Sequence, residues 1–205
     1  MIIGIGISTF KRPEMLAKLL DSIHKYTTYD YILHVAEDTD EDRRGVAFRK
    51  NQSLRALQHA DHIFLLDDDV EIIKKGWEEF FINSGYNHLL YLNASHNLIT
   101  TAGELELYAD CGGVFMYMRK GAVERVGAFD EGYKMYGYEH ADYSCRILGG
   151  HGQYPMLKDT SKYIYSEDYS NPNHVSSITN SEKNLHFFNN TNKWINRNNE
   201  TYIPL

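Results

Sequence analysis

Cysteine is scarce: Cys111 and Cys145 are the only two in 205 residues. That excludes a disulfide framework and suits a reducing compartment, so a cytoplasmic location is expected. No run approaches the roughly 18 apolar residues that cross a bilayer, and no membrane span is expected. The opening Met1-Ile2-Ile3-Gly4 lacks a basic stretch ahead of a long apolar one, so it is expected to enter a strand rather than act as a secretory signal. Positive charge is also short. The net charge is −7, which disfavours wrapping a nucleic acid backbone by bulk electrostatics. No internal repeat is visible.

What is present fits one globular unit. The hydrophobic content of 42% is enough for a sizeable core. Residues 1–8 read as a strand. Pro13 then fits the first position of a helix, with Leu16, Leu19, Leu20 and Ile23 at helical spacing. A second strand is expected over 31–36. A helix is expected over 46–59, with Ala47, Leu54 and Leu57 inward, and a third strand over 63–66. This alternation predicts an α/β fold with a mostly parallel central sheet flanked by helices. Further on, short strands are expected near 89–92 and 114–118. Helices are expected near 77–81, over 119–126 and from 139 to about 149. Beyond residue 169 the chain is rich in Asn, Ser and Thr without periodicity, and an irregular tail or lid is expected over 169–205.

The chemistry concentrates where Asp67-Asp68-Asp69 follows the apolar run Ile63-Phe64-Leu65-Leu66. Carboxylates crowded at the end of a buried strand repel one another. A hard divalent cation such as Mg²⁺ or Mn²⁺ relieves that repulsion through carboxylate oxygens. Ligands of open α/β sheets gather outside the carboxyl ends of the strands. Asp67 and Asp69 therefore read as a metal and nucleotide site, and a solvated acidic turn is the alternative. Asp38 ends the second strand, placed to accept hydrogen bonds from a base or ribose. Arg49 and Asn51, on the next helix, are candidates to face a diphosphate and base. Glu139 and Asp142, three apart at a helix start, share a face, and either is a candidate general base. An N-terminal capping pair is the plainer reading. His174 is a candidate further metal ligand among ten histidines.

The order of these features resembles the GT-A nucleotide-sugar glycosyltransferases, especially glycosyltransferase family 2, over about residues 2–152. Ile7-Ser8-Thr9-Phe10-Lys11-Arg12-Pro13 resembles the family's first strand and turn, where the nucleotide's base packs. Arg44 to Asn51 resembles its helix carrying an Arg-Asn pair. Leu65-Leu66-Asp67-Asp68-Asp69-Val70 resembles its aspartate-x-aspartate motif. Residues 113–119 and 126–131 resemble its acceptor-side block, and residues 138–146 its Glu-Asp motif. The resemblance implies a GT-A domain over 1–168, with a donor half near 1–70 and a small acceptor half near 71–168. It implies Thr9, Arg12, Asp38, Arg49, Asn51, Asp67 and Asp68 on the nucleotide, and Asp67 and Asp69 on the metal, with His174 outside the resemblance and a candidate ligand from the residues alone. Many family members carry an Asp directly after the Glu of the last motif, and this chain has His140. Glu139, His140 and Asp142 thus all stand as candidate bases.

The implied activity is inverting transfer of a sugar from a nucleoside diphosphate to an acceptor hydroxyl with Mn²⁺ or Mg²⁺ bound. The acceptor is a carbohydrate or another hydroxyl, a modified nucleic acid base included, although the charge does not point to nucleic acid. Two alternatives stand beside it. A haloacid-dehalogenase-type phosphatase also places Asp-x-Asp after an apolar strand, but near the start of its fold and with Thr or Val two residues on, where this chain has Glu71. A binding protein with no turnover would hold a nucleotide sugar on the same fold.

Overall fold

The computed structural model describes residues 1–91, 98–109, 112–149, 153–166, 183–186, 188 and 202–205. Cys111, His174 and most of the expected tail therefore lie outside the described residues. The chain runs β1 (Ile3–Thr9), α1 (Pro13–Tyr26), β2 (Tyr31–Glu37), α2 (Val46–Ala56), β3 (His62–Asp67), β4 (Val70–Ile72) and α3 (Trp77–Ile82). There follow β5 (His88–Leu90), β6 (Leu98–Ala102), β7 (Leu105–Tyr108), β8 (Phe115–Arg119), α4 (Lys120–Val126), α5 (Glu139–Leu148), β9 (Tyr154–Leu157) and β10 (Ile164–Ser166).

One eight-stranded sheet, in the order β2-β1-β3-β8-β5-β9-β7-β6, spans both halves. Its N-terminal strands are parallel: β1 pairs in parallel with β2 and β3. Antiparallel members enter through β8, between β3 and β5, and through the β6–β7 hairpin at the far edge. A separate antiparallel pair joins β4 and β10. The α/β class is as expected. The elements that periodicity missed are short or two-faced. β4 and β10 have three residues each and β9 has four, too few to display a period. Every residue of β6 is exposed, so it has no apolar face to reveal it. The helix expected to reach 59 ends at Ala56, and the strand expected over 89–92 occupies His88–Leu90.

Strict alternation sorts the side chains of the central strands into two cores. Phe64 and Leu66 of β3, with Phe115 and Tyr117 of β8, face α1 and α3. There Phe64 packs edge-on against Trp77, 4.7 Å between centroids. Ile63 and Leu65, with Met116 and Met118, face α2, α4 and α5. The alternation carries into the acidic cluster: Asp67, the last residue of β3, falls on the α2–α5 side. Two glycines of β1 set how close α2 lies. A Cβ on Gly6 would stand 2.6 Å from the Cβ of Ser53, and one on Gly4 would crowd Ala60 and Leu57. The helix therefore rides directly on the strand, and its polar residues are carried inside.

One buried polar group ties the sheet to α5. His88 donates from Nδ1 to the carbonyl of Tyr117 (2.8 Å), and its Nε2 accepts from the Ser144 hydroxyl (2.7 Å). A carbonyl only accepts, so this pair of contacts selects the Nδ1–H tautomer. Burial pushes the His88 pKa down to about 4. The unfolded chain, with an ordinary histidine near 6.5, binds a proton that the folded chain refuses. Stability from this site is thus complete above pH 6.5 and lost as the pH falls toward 4, by up to about 3 kcal/mol. Chemical denaturation between pH 7 and 4.5 should show a steeper loss for the native sequence than for His88→Asn, which keeps a donor and an acceptor without the titration. Equal slopes would refute the assignment.

Candidate active site

The site is assembled at the carboxyl ends of the three parallel strands. Thr9 closes β1, Asp38 follows β2, and Asp67 closes β3. The amide of Asp38 donates to the carbonyl of Thr9 (2.8 Å), and that of Asp67 to the carbonyl of Val114 (2.8 Å), so backbone bonds fix the strand ends. The three aspartates then take different partners. Asp68 is buried, accepts from the Thr9 hydroxyl (2.6 Å) and pairs with Arg12. Asp69 receives a second Arg12 nitrogen at 3.2 Å. Asp67 lies 3.8 Å from the ammonium of Lys50.

Lys50 is the residue that the sequence reading passed over, although it sits between the two it chose. Its side chain is almost fully buried, donating to the carbonyl of Gly113 (3.0 Å) and to Oε1 of Glu139 (3.3 Å). A signal for it existed. Ala47, Lys50, Leu54 and Leu57 follow helical spacing, so a lysine stands on the inward stripe of α2. Its neighbours point elsewhere. Arg49 is buried and bonds Asp38 (Nε to Oδ1, 2.9 Å) and Asp42 (2.9 Å). Asp38 also accepts from the amides of Arg44 (2.9 Å) and Gly45 (3.2 Å). Asn51 gives and receives hydrogen bonds with the backbone of Phe129 (3.0 and 2.7 Å) and donates to Glu131 (3.0 Å). The structure thus spends Arg49 on the loop after β2 and Asn51 on the loop after α4.

The candidate bases separate in the same way. Asp142 is paired with Arg146 (2.9 Å), whose other nitrogens bond the carbonyls of Val126 (2.9 Å) and Ala128 (2.7 Å). Glu139 faces the aspartate cluster. Its Oε1 meets Lys50 and the Nδ1 of His140, each at 3.3 Å, and its Oε2 accepts from the amide of Gly137 (2.7 Å). His140 packs over Gly113, where an added Cβ would lie 2.5 Å from the ring. The structure therefore brings Asp67, Lys50, Glu139 and His140 together, and it sets Thr9, Arg12, Asp68 and Asp69 beside them.

The electrostatics follow from that grouping. Burial pushes the pKa of Asp67 up to about 6, against the pull of Lys50 and with help from Asp69 and Glu139. Burial raises Asp68 and Asp69 as well, opposed chiefly by Thr9 and Arg12 for the first and by Arg12 for the second. Burial also works against ionised Glu139, but Lys50 and His140 prevail and hold it well below the usual carboxylate range. The difference between Asp67 and Glu139 matches distance, since Lys50 is 3.8 Å from the first and 3.3 Å from the second. Four carboxylates, Asp67, Asp68, Asp69 and Glu139, face the cations Arg12 and Lys50 and the imidazole of His140. Three of their oxygens, Oδ1 of Asp67, Asp68 and Asp69, are buried and accept no hydrogen bond, and that of Asp68 is paired with Arg12. Such oxygens suit a hard cation. No group of three or more Asp, Glu, His or Cys able to hold a metal unaided is assembled among the described residues. Two carboxylates with the rest of the shell from a diphosphate and water is the pattern expected of Mg²⁺-type sites.

No known protein family matches the chain in sequence, and no curated protein does. Solved structures do match. S. aureus TarS 1-349 in complex with UDP aligns with TM-score 0.61 and 15% identity, over 81% of this chain and 60% of that one. A mutant Drosophila β1,4-galactosyltransferase 7 complexed with manganese, UDP-Gal and xylobiose aligns with TM-score 0.57 and 12% identity, over 82% and 71%. GalNAc-T7 with UDP, GalNAc and Mn²⁺ aligns with TM-score 0.59 and 13% identity, over 77% and 42%. The chain has the GT-A fold that these glycosyltransferases share. It spans 60% of the TarS chain's length. Among the described residues no helix is long and apolar enough to cross a membrane.

Replacing Lys50 by Met would leave Asp67 and Glu139 buried beside each other without the ammonium between them. Breaking one partner from a buried ionic cluster costs about 3–5 kcal/mol. Urea denaturation at pH 7 should show a loss of that order. The deficit should shrink toward pH 5, because carboxylates whose folded pKa has risen regain stability on protonation. A loss below about 1 kcal/mol would mean that the ammonium is dispensable.

Proposed function

We propose that this protein is a glycosyltransferase that moves a sugar from a nucleoside diphosphate to an acceptor hydroxyl, with inversion at the anomeric carbon. One observation carries the reading: two buried carboxylate oxygens, on Asp67 and Asp69, accept no hydrogen bond at the carboxyl edge of a GT-A parallel sheet. Asp67 and Asp69 would hold Mn²⁺ or Mg²⁺, with His174 the proposed third ligand. The bound cation supplies Lewis-acid neutralisation of the charge that develops on the diphosphate. Neighbours of this fold carry UDP, UDP-Gal and Mn²⁺, which supports a nucleotide-sugar donor and a divalent metal.

The chain's own residues have separable roles in this proposal. Thr9, Asp68 and Arg12 fix the β1–α1 turn against the aspartates, and Arg12 adds positive charge near the donor phosphates. Asp38 lies beside the base and ribose, its loop held by Arg49, while Asn51 holds the loop that borders the acceptor. Glu139 is the proposed base. Lys50 keeps it ionised at neutral pH, and the Gly137 amide orients it. The acceptor hydroxyl gives its proton to Glu139 as its oxygen bonds to the anomeric carbon. The bond from that carbon to the diphosphate oxygen breaks, and its electron pair leaves with the diphosphate. His140, against the same carboxylate, helps to fix it. Asp142, committed to Arg146, braces α5. A carbohydrate hydroxyl is the acceptor class favoured, since the net charge of −7 does not invite nucleic acid.

A thermal-shift screen of UDP- and GDP-sugars with and without Mn²⁺ tests this reading. A ligand bound only by the folded state raises the melting temperature, and at least one donor should do so in a Mn²⁺-dependent manner. Asp69→Ala should keep the fold and its melting temperature, because it relieves repulsion in the cluster, yet lose the Mn²⁺-dependent shift and at least about a hundredfold in transfer rate. Failure of every sugar nucleotide to shift the native protein would overturn the proposal.

A further inference from the structure

The loop between the acceptor block and α5, residues 133–138, has no regular structure, yet it presents Glu139. Two of its non-glycine residues, Met135 (φ 59°) and Tyr138 (φ 67°), hold left-handed backbone. Such conformations are costly and persist where the surroundings impose them. One restraint comes from α2, where the amide of Val46 donates to the carbonyl of Met135 (2.6 Å). A second comes from far along the chain. Asn184 is 4% exposed, and its Nδ2 donates to the carbonyls of both Lys134 and Tyr136, each at 2.8 Å. One amide thus spans the strained residue Met135 from either side. Phe188 lies against the ring of Tyr138, 5.5 Å between centroids. The loop in turn orients the carboxylate, since the amide of Gly137 donates to Oε2 of Glu139.

We infer that Asn184 is a positioning residue for Glu139: it acts through the 134–138 loop and touches no reacting atom. The inference rests on the proposed sugar transfer for its catalytic consequence, but the restraint itself is independent of it. Both N–H groups of one buried amide are used on two carbonyls of a loop that would otherwise relax out of the left-handed region. Relaxation would withdraw the Gly137 amide from Oε2 of Glu139 and leave Lys50 and His140 at its Oε1. Misplacement of a catalytic group by about 1 Å costs up to a hundredfold in rate.

The test compares the native chain with Asn184→Ala and with Asn184→Asp, which keeps the side chain's shape but removes both donors. Hydrogen exchange of residues 134–139 should be faster in both variants, with the sheet amides unchanged. The kcat for transfer should fall between about tenfold and a hundredfold, while the KM for the donor and its Mn²⁺-dependent affinity stay put. Unchanged exchange across 134–139 in Asn184→Asp would overturn the inference, and so would a native kcat with accelerated exchange. If Asn184→Ala fails to fold, the Asn184→Asp comparison decides. If the native chain binds no sugar nucleotide, the proposed function falls. The exchange measurement then still reads the restraint, and accelerated exchange supports it.

Discussion

The buried ammonium of Lys50 is the contact on which the candidate site depends. It lies between Asp67, at the end of β3, and Glu139, at the start of α5, and it also bonds the carbonyl of Gly113. A charge in such a place is costly unless it is surrounded by partners. Here the cost is offset by tying together three segments that are 17, 63 and 89 residues away from it along the chain. A single ammonium cannot neutralise both carboxylates equally. Glu139 takes the larger share and stays ionised, while Asp67 is left under-compensated and rises toward neutrality. An acid that resists ionisation in isolation, next to a second carboxylate oxygen without a donor, is the condition in which a bound cation gains most.

α2 distributes this order to the rest of the site. Three consecutive buried polar residues leave it in three directions, because successive side chains on a helix are about 100° apart. Arg49 takes the loop after β2, Lys50 the cluster of Asp67 and Glu139, and Asn51 the loop after α4. The helix can do this because Gly4 and Gly6 of β1 let it lie against the sheet. There its polar face meets other loops rather than water. The C-terminal part of the chain adds a second set of restraints to the segment between α4 and α5. Ile203 exchanges backbone hydrogen bonds with Val126 (3.0 Å) and Ala128 (2.7 Å), and Asn184 holds the loop before α5. The loops that border the site are thus fixed by residues from both ends of the sequence.

Much of the N-terminal part, β1 to β3, was legible because its signals are local. The apolar run before Asp67, the spacing of Leu16, Leu19 and Ile23, and Pro13 at a helix start all report structure within a few residues of themselves. β1, α1, β2, α2 and β3 fell close to their expected places for that reason. The part after β3 was less legible. Its strands are short, β6 is exposed on both faces, and its pairings join segments far apart in sequence. Arg49 and Lys50 show the same limit on a finer scale. Both are basic residues on a helix, and only one has its charge beside the aspartates, which depends on what packs against each face of α2.

The sequence alone determined the class of fold, the acidic turn at the end of the third strand and the helix that opens with Glu139, since hydrophobic period and turn chemistry act over short range. Tertiary structure decided the division of labour. It separated Glu139 from Asp142, gave the central position to Lys50, assigned Asp68 to Thr9 and Arg12, and brought Asn184 to the loop before α5. The physical reason is that a carboxylate's role depends on which cations and donors surround it. In a buried site those neighbours come from segments that only the folded chain brings within a few ångströms.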